Sequence, residues 1–301
     1  MNTITPTQAQ SRPPVDLAQA IDHDTQAGWK ARLALSFSDR GDKTVIKQRS
    51  QQGPLAIQRP LYPEGKTCHT YLLHPPGGVV GGDTLSITAT ALPGAQALVT
   101  TPGATKFYRS NHRYARQTQH LSVASGARLE WLPQENIFFP QAHARLDTIV
   151  ELQSDAQFLG WEMHCLGRPA LNEGFSSGHL IGKTEIFIDG QRILTEGINL
   201  SGEDKLMKNI GLLDFPLAGT LYLTNQDDAF IELVQSLLST IEQQFGRDQI
   251  IVAATQLEGV IVVRALAVWS EILLRCFQQV WQLTRGHWTG VEPDLPRIWA
   301  T

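Results

Sequence analysis

Leu85–Val99 reads LSITATALPGAQALV. Leu85, Ile87 and Ala89 mark one strand, Gly94-Ala95 a tight turn, and Leu98-Val99 a second strand. The same grammar returns in Leu121-Ser-Val123 leading into Gly126-Ala127-Arg-Leu129-Glu-Trp131. It returns again in Ile149-Val150-Glu-Leu152 leading into Asp155-Ala156-Gln-Phe158. The turns lie 32 and then 29 residues apart. Repeated hairpins at such a period predict stacked β layers, each covering its neighbour's apolar face.

The pattern extends outward from this repeat. Trp29–Phe37, WKARLALSF, places Trp29, Ala31, Leu33, Leu35 and Phe37 on one face and predicts a half-buried strand. Gly41-Asp42 makes a turn, and short strands separated by Gly, Pro and Asp continue to about residue 225. The periodicity then changes. Asp227–Phe245 has apolar residues at helical spacing, acidic residues in its first turn and Gly246 just beyond. Residues 249–263 read as two strands, and 264–285 as a second helix, apolar nearly all round, with Trp269, Leu273, Phe277, Val280 and Trp281 on a wide face. PRIWAT closes an extended tail over 286–301. The expected fold is mainly β, stacked and solenoid-like, elongated, with two α-helices in the C-terminal half. It forms a single domain over 28–301, preceded by a polar, mobile arm over 1–27.

Composition excludes several function classes. A chain of 301 residues can bury a sizeable core without staples. A net charge of −4 gives no reason to expect nucleic acid or an anionic membrane as partner. Charged residues make up only 18%, which leaves surface free for a protein partner. Cys68, Cys165 and Cys276 are scattered and odd in number, arguing against a disulfide framework or zinc finger and for a reducing cytoplasm. The first twenty residues have no cationic start or apolar run, so they do not read as a secretory signal. The apolar runs are too short to span a membrane.

No local motif announces catalysis. Gly65-Lys66-Thr67 has Pro60 where a phosphate-binding loop needs glycine. His74–Asp83, HPPGGVVGGD, has neither lysine nor a following helix, so its glycines read as architecture. Cys68-His69, His74 and His164-Cys165 could offer soft and imidazole ligands, but no stable metal site is predicted. Lys106, Tyr108 and Arg109, then Glu130, Gln134 and Glu135, then Glu162, Arg168 and Glu173, could form an acid–base site or salt bridges between layers. An enzyme with paired carboxylates such as Glu130 and Glu135 would need them about 5–10 Å apart in an open cleft.

Together YLLHPPGGVVGGD (71–83), LVTTPGATKFYRS (98–110), LEWLPQENIFF (129–139), LGRPALNEGF (166–175) and PRIWAT (296–301) resemble the urease accessory protein family UreD, also called UreH. The resemblance covers roughly 28–301. It implies a non-enzymatic role: binding apo-urease, recruiting UreF and the GTPase UreG, and delivering nickel to the urease active site. It implies a mostly β, solenoid-like fold whose two helices dock on UreF, and a water-filled passage for nickel. No cofactor is expected to bind tightly; nickel is in transit. Candidate lining residues are Asp83, Glu130, Glu135, Glu162 and Glu173, with His74 next. Lys106, Tyr108, Arg109 and Arg168 are candidates for a structural or interface motif. Trp269, Leu273, Phe277 and Trp281 are candidates for a helix face turned toward UreF.

Overall fold

The computed structural model describes residues 28–204, 211–225 and 227–300; the arm expected over 1–27 lies outside them. Among the described residues the strands build two sheets. The first holds β1 (Lys30–Asp39), β2 (Thr44–Gln52), β5 (Thr84–Ala91), β8 (Ala115–Val123), β11 (Ala142–Leu152), β14 (Gly178–Ile188) and β15 (Gln191–Ser201). Their order is β15-β14-β11-β8-β5-β1-β2. The second holds β3 (Ala56–Ile57), β4 (Cys68–Leu73), β6 (Gln96–Thr100), β9 (Arg128–Leu132), β12 (Gln157–Arg168), β16 (Leu217–Thr224), β17 (Ile250–Leu257) and β18 (Val260–Ala267). Their order is β17-β18-β16-β12-β9-β6-β4-β3. Short strands β10 (Asn136–Phe138) and β13 (Glu173–Gly174) pair with β12, and β7 (Thr105–Phe107) pairs with β10.

The solenoid-like, mainly β fold is what the repeat predicts, but its layers are arches, not hairpins. β5 does not pair with β6. It pairs in parallel with β1 and β8, while β6 pairs in parallel with β4 and β9. The turn therefore carries the chain from one sheet to the other. Its three copies are built alike: the amide of Ala95 donates to the Leu92 carbonyl (2.9 Å), Ala127 to Ala124 (3.1 Å) and Ala156 to Gln153 (2.9 Å). All three alanines are buried, and Gly94 and Gly126 take positive φ that other residues avoid. Successive arches stack through Arg128 N to Ala95 O (2.8 Å) and Gln157 N to Ala127 O (2.9 Å). A period-2 strand pattern is blind to this distinction, because a hairpin and an arch bury the same alternate residues.

The core has two parts. One lies between the sheets and includes Leu33, Phe37, Ala97, Leu129 and Phe158. The other lies between the outer face of the second sheet and the helices α1 (Phe230–Phe245) and α2 (Ser270–Thr289). The second sheet is thus buried on both faces, which explains why β9 is buried at every position. The second helix starts at Ser270, not near 264; Val260–Ala267 is a strand. Arg264-Ala-Leu-Ala is apolar enough for either reading, and the antiparallel ladder with β16 and β17 decides it. The C-terminal segment ends in a 3-10 turn at Arg297–Ala300, with Trp299 packed between Trp161 and Trp281. Trp29, assigned by alternation to the buried face of β1, is 63% exposed, one residue before the strand begins.

Candidate functional site

Several inward positions between the sheets are polar where the alternation calls for apolar side chains. These are Gln117 and Gln119 on β8, Thr148 on β11 and Thr184 on β14, all buried. Gln119, Thr148 and Thr184 converge on Glu162 of β12. Thr148 Oγ1 donates to Glu162 Oε1 (2.6 Å) and Thr184 Oγ1 to Oε2 (3.0 Å). Gln119 donates to Thr148 Oγ1 (3.0 Å), and Trp131 Nε1 donates to the Gln119 side-chain oxygen (2.8 Å). A continuous polar chain therefore crosses the space between the sheets, because a buried polar group must find a partner.

Two cavities meet at this crossing. One, of about 450 Å³, is lined by Glu162, His164, Lys183, Thr184, Glu196 and Arg264 among others. The other, of about 200 Å³, is lined by His74, Gln117, Gln119, Trp131, Asn136 and Glu162 among others. Glu162 belongs to both walls. Burial pulls His74 below the ordinary imidazole range, and the Asp83 charge works against it. Burial does the same to His164, opposed by the Glu162 charge and the Met163 carbonyl.

Of the six candidate lining residues, His74 and Glu162 face these cavities. Asp83 instead ties the glycine-rich loop together, accepting from the amides of Trp29 (2.9 Å) and Val80 (3.0 Å). Glu130 is fully buried on the opposite face of the second sheet. It accepts from Arg128 Nε (2.9 Å), from Arg285 Nη1 (2.8 Å to each oxygen) and from Trp281 Nε1 (2.5 Å). Arg285 also pairs with Glu64, which holds His69 Nε2 at 2.6 Å. Glu130 therefore faces no open cleft, and the paired-carboxylate enzyme loses its first member. Glu173 pairs with Arg168 at the edge of β12. Glu135 lies beside Cys165, whose thiol burial, with help from that charge, pushes up to about 12.

The segment that carries Lys106, Tyr108 and Arg109 is pinned through its backbone. The Val79 amide donates to the Lys106 carbonyl (2.7 Å) and the Tyr108 amide to the Val79 carbonyl (2.9 Å), which clips the glycine-rich loop to the 105–108 segment. A side chain at Gly78 would collide with the Tyr108 ring. Tyr108 packs edge-on against Phe139, and the Arg168 guanidinium lies over the Phe139 ring, 4.8 Å from its centroid. Lys106 and Arg109 are exposed. The helix face is a correction: Leu273, Phe277 and Trp281 are turned into the core and present nothing to a partner, and only Trp269 is exposed, at 47%. The wide apolar face covers the second sheet. Cys68, Cys165 and Cys276 are free and buried, and burial raises all three thiols, so none is a ready thiolate ligand.

The polar chain escapes a motif search, since its members come from separate strands, and only Gln117 with Gln119 and Glu162 with His164 are near each other in sequence. The available signal is polar residues on a buried period-2 face, such as Gln117 and Gln119 between Ala115 and Leu121.

The family model for the UreD urease accessory protein matches residues 30–300. The chain is 47% identical to the urease accessory protein UreD of Aliivibrio fischeri (strain MJ11) over 281 residues, covering 92% of this chain and 98% of the relative. It is 44% identical to that of Escherichia coli over 277 residues (91% and 98%) and 43% identical to that of Klebsiella aerogenes over 274 residues (91% and 97%). The chain belongs to the UreD urease accessory protein family.

Proposed function

We propose that the chain is a non-enzymatic urease maturation factor: a cytoplasmic scaffold that binds apo-urease together with UreF and UreG in a larger complex. It passes nickel toward the urease active site through its interior. Family membership supports the first part. The observation that carries the second is Glu162, a carboxylate that lines two cavities at once. A water takes about 30 Å³, so both spaces can hold a hydrated path. Nickel accepts carboxylate, imidazole and water. Ligands along such a route must bind weakly enough to release the ion, as in any conducting pore. Nickel is cargo here, not a resident cofactor.

The test is urease activation in cells that carry the urease genes but lack this chain. The wild-type chain restores activity and co-purifies with UreF and UreG. Glu162→Gln co-purifies with them but fails to restore activity, while Glu173→Gln restores it. Full activity with Glu162→Gln removes the passage; failure of the wild-type chain to co-purify removes the scaffold.

A further inference from the structure

We propose that the outer face of the first sheet, at its glycine-rich end, docks a partner protein through a row of that partner's carboxylates. This goes beyond the interior passage and does not depend on it.

The face is built by register. β1, β5, β8, β11 and β14 run parallel, so residues aligned across them leave the sheet on the same side. Leu33, Ile87, Gln119, Thr148 and Thr184 form one such row, turned inward and buried. The outward rows segregate charge. The one nearest the glycine-rich loop carries Lys30, Arg116 and Arg145 and no acid. The next carries Arg32 and Lys183, with Asp147 as its one acid. The two rows beyond carry Glu185 and Glu151 and no lysine or arginine on these strands.

Three of the five cations are unrelieved. Arg145 pairs with Asp147 (2.6 Å) and Lys183 with Glu185 (2.7 Å). Among the described residues Lys30, Arg32 and Arg116 form no ion pair. Lys30 and Arg32 are exposed, and Arg116 is half-buried beside Arg145, its register partner. Neighbouring strands lie about 4.8 Å apart, and like charges set directly opposite each other work against the fold. The chain carries 29 acidic residues against 25 lysines and arginines, yet only Asp147 stands in these two rows. An arrangement that opposes folding and is left unrelieved fits a surface completed from outside.

The observations favour a protein over nucleic acid. A long polyanion crossing the sheet would run on to Glu185 and Glu151, and the net charge of −4 repels it. A folded protein can set carboxylates over the basic rows and keep them off the acidic ones, which also fixes which way round it sits. The place is separate from the helices. α1 and α2 cover the outer face of the second sheet, so the basic rows lie on the far side of the molecule.

The full-length chain is titrated against a fluorescently labelled oligoglutamate peptide, followed by anisotropy, with a labelled RNA of equal charge beside it. Wild type is compared with Lys30→Glu/Arg32→Glu/Arg116→Glu and with Lys30→Ala/Arg32→Ala/Arg116→Ala; the alanine variant serves if the reversed one does not fold. The peptide binds wild type and is released as salt rises from about 0.05 M to about 0.5 M, because screening then acts within a few ångström. Charge reversal weakens binding at least about tenfold, which three exposed ion pairs of ordinary strength sum to. The variants melt no lower than wild type, since the like charges oppose one another in the fold. In cells that need this chain for urease activity, the reversed chain activates urease less than wild type. Peptide binding unaltered by reversal, RNA bound more tightly than the peptide, or melting temperatures that fall in both variants overturns the docking surface. So does a reversed chain that activates urease like wild type. Self-association of wild type at low salt that reversal abolishes assigns the face to a second copy of the chain, and overturns it too.

Discussion

Glu130 and Glu162 occupy neighbouring strands of the same sheet and face opposite sides of it. Glu130 looks toward helix α2 and is saturated by two guanidinium groups and an indole N–H. Glu162 looks toward the other sheet and, among the described residues, accepts only from hydroxyls, with open space on two sides. The first arrangement locks: removing one partner strands a buried charge. The second leaves the carboxylate with lone-pair positions that the two hydroxyls do not fill. The residue type is the same in both, so company and not identity separates a staple from a site.

Four measurements break or sharpen this contrast. Glu130→Gln leaves Arg128 and Arg285 buried against each other, and chemical denaturation is expected to show a loss of about 3–5 kcal/mol. A near-neutral result would mean that the cluster is not a staple. Trp281→Phe keeps an aromatic ring but removes one donor to Glu130, with an expected loss of about 1.5–3 kcal/mol in the same assay.

The cluster also has an acid signature. Burial pushes the Glu64 carboxyl up, but the His69 hydrogen bond and the Arg285 charge outweigh it and hold the group at about 2, against an ordinary 4.5. Its folded value is depressed, so its contribution is fully present above about pH 4.5 and lost as pH falls toward 2. Melting temperature followed over that window should drop, and Glu64→Gln should flatten the part due to this group. The smallest effect is expected at Glu162. Glu162→Gln keeps the shape, and threonine hydroxyls can donate or accept, so stability should change by about 1 kcal/mol or less. If denaturation shows it as costly as Glu130→Gln, Glu162 is a second staple and the contrast collapses.

Much of the fold was legible in the chain. The Gly-Ala and Asp-Ala turns announced a repeat, the alternation in Lys30–Asp39 announced a strand, and helical spacing announced α1. The candidate site was legible only in part. Glu162 stood out among other acids, but nothing near it distinguished it from Glu130, whose decisive partner Arg285 is 155 residues away. The apolar stripe of α2 was legible as a stripe, though not as a core-facing one. A greasy helix face satisfies a sheet and a partner protein equally well.

The sequence by itself determined the mainly β solenoid, its repeat, the two helices and the family. These rest on short-range periodicity and on motifs read in order along the chain. Only the tertiary structure decided that the turns are arches, that Asp83 and Glu130 are tied into the framework, and that Glu162 and His164 share a cavity. The reason is physical: a carboxylate's role depends on which donors reach it, and those donors come from strands and helices brought together by burial, not by sequence distance.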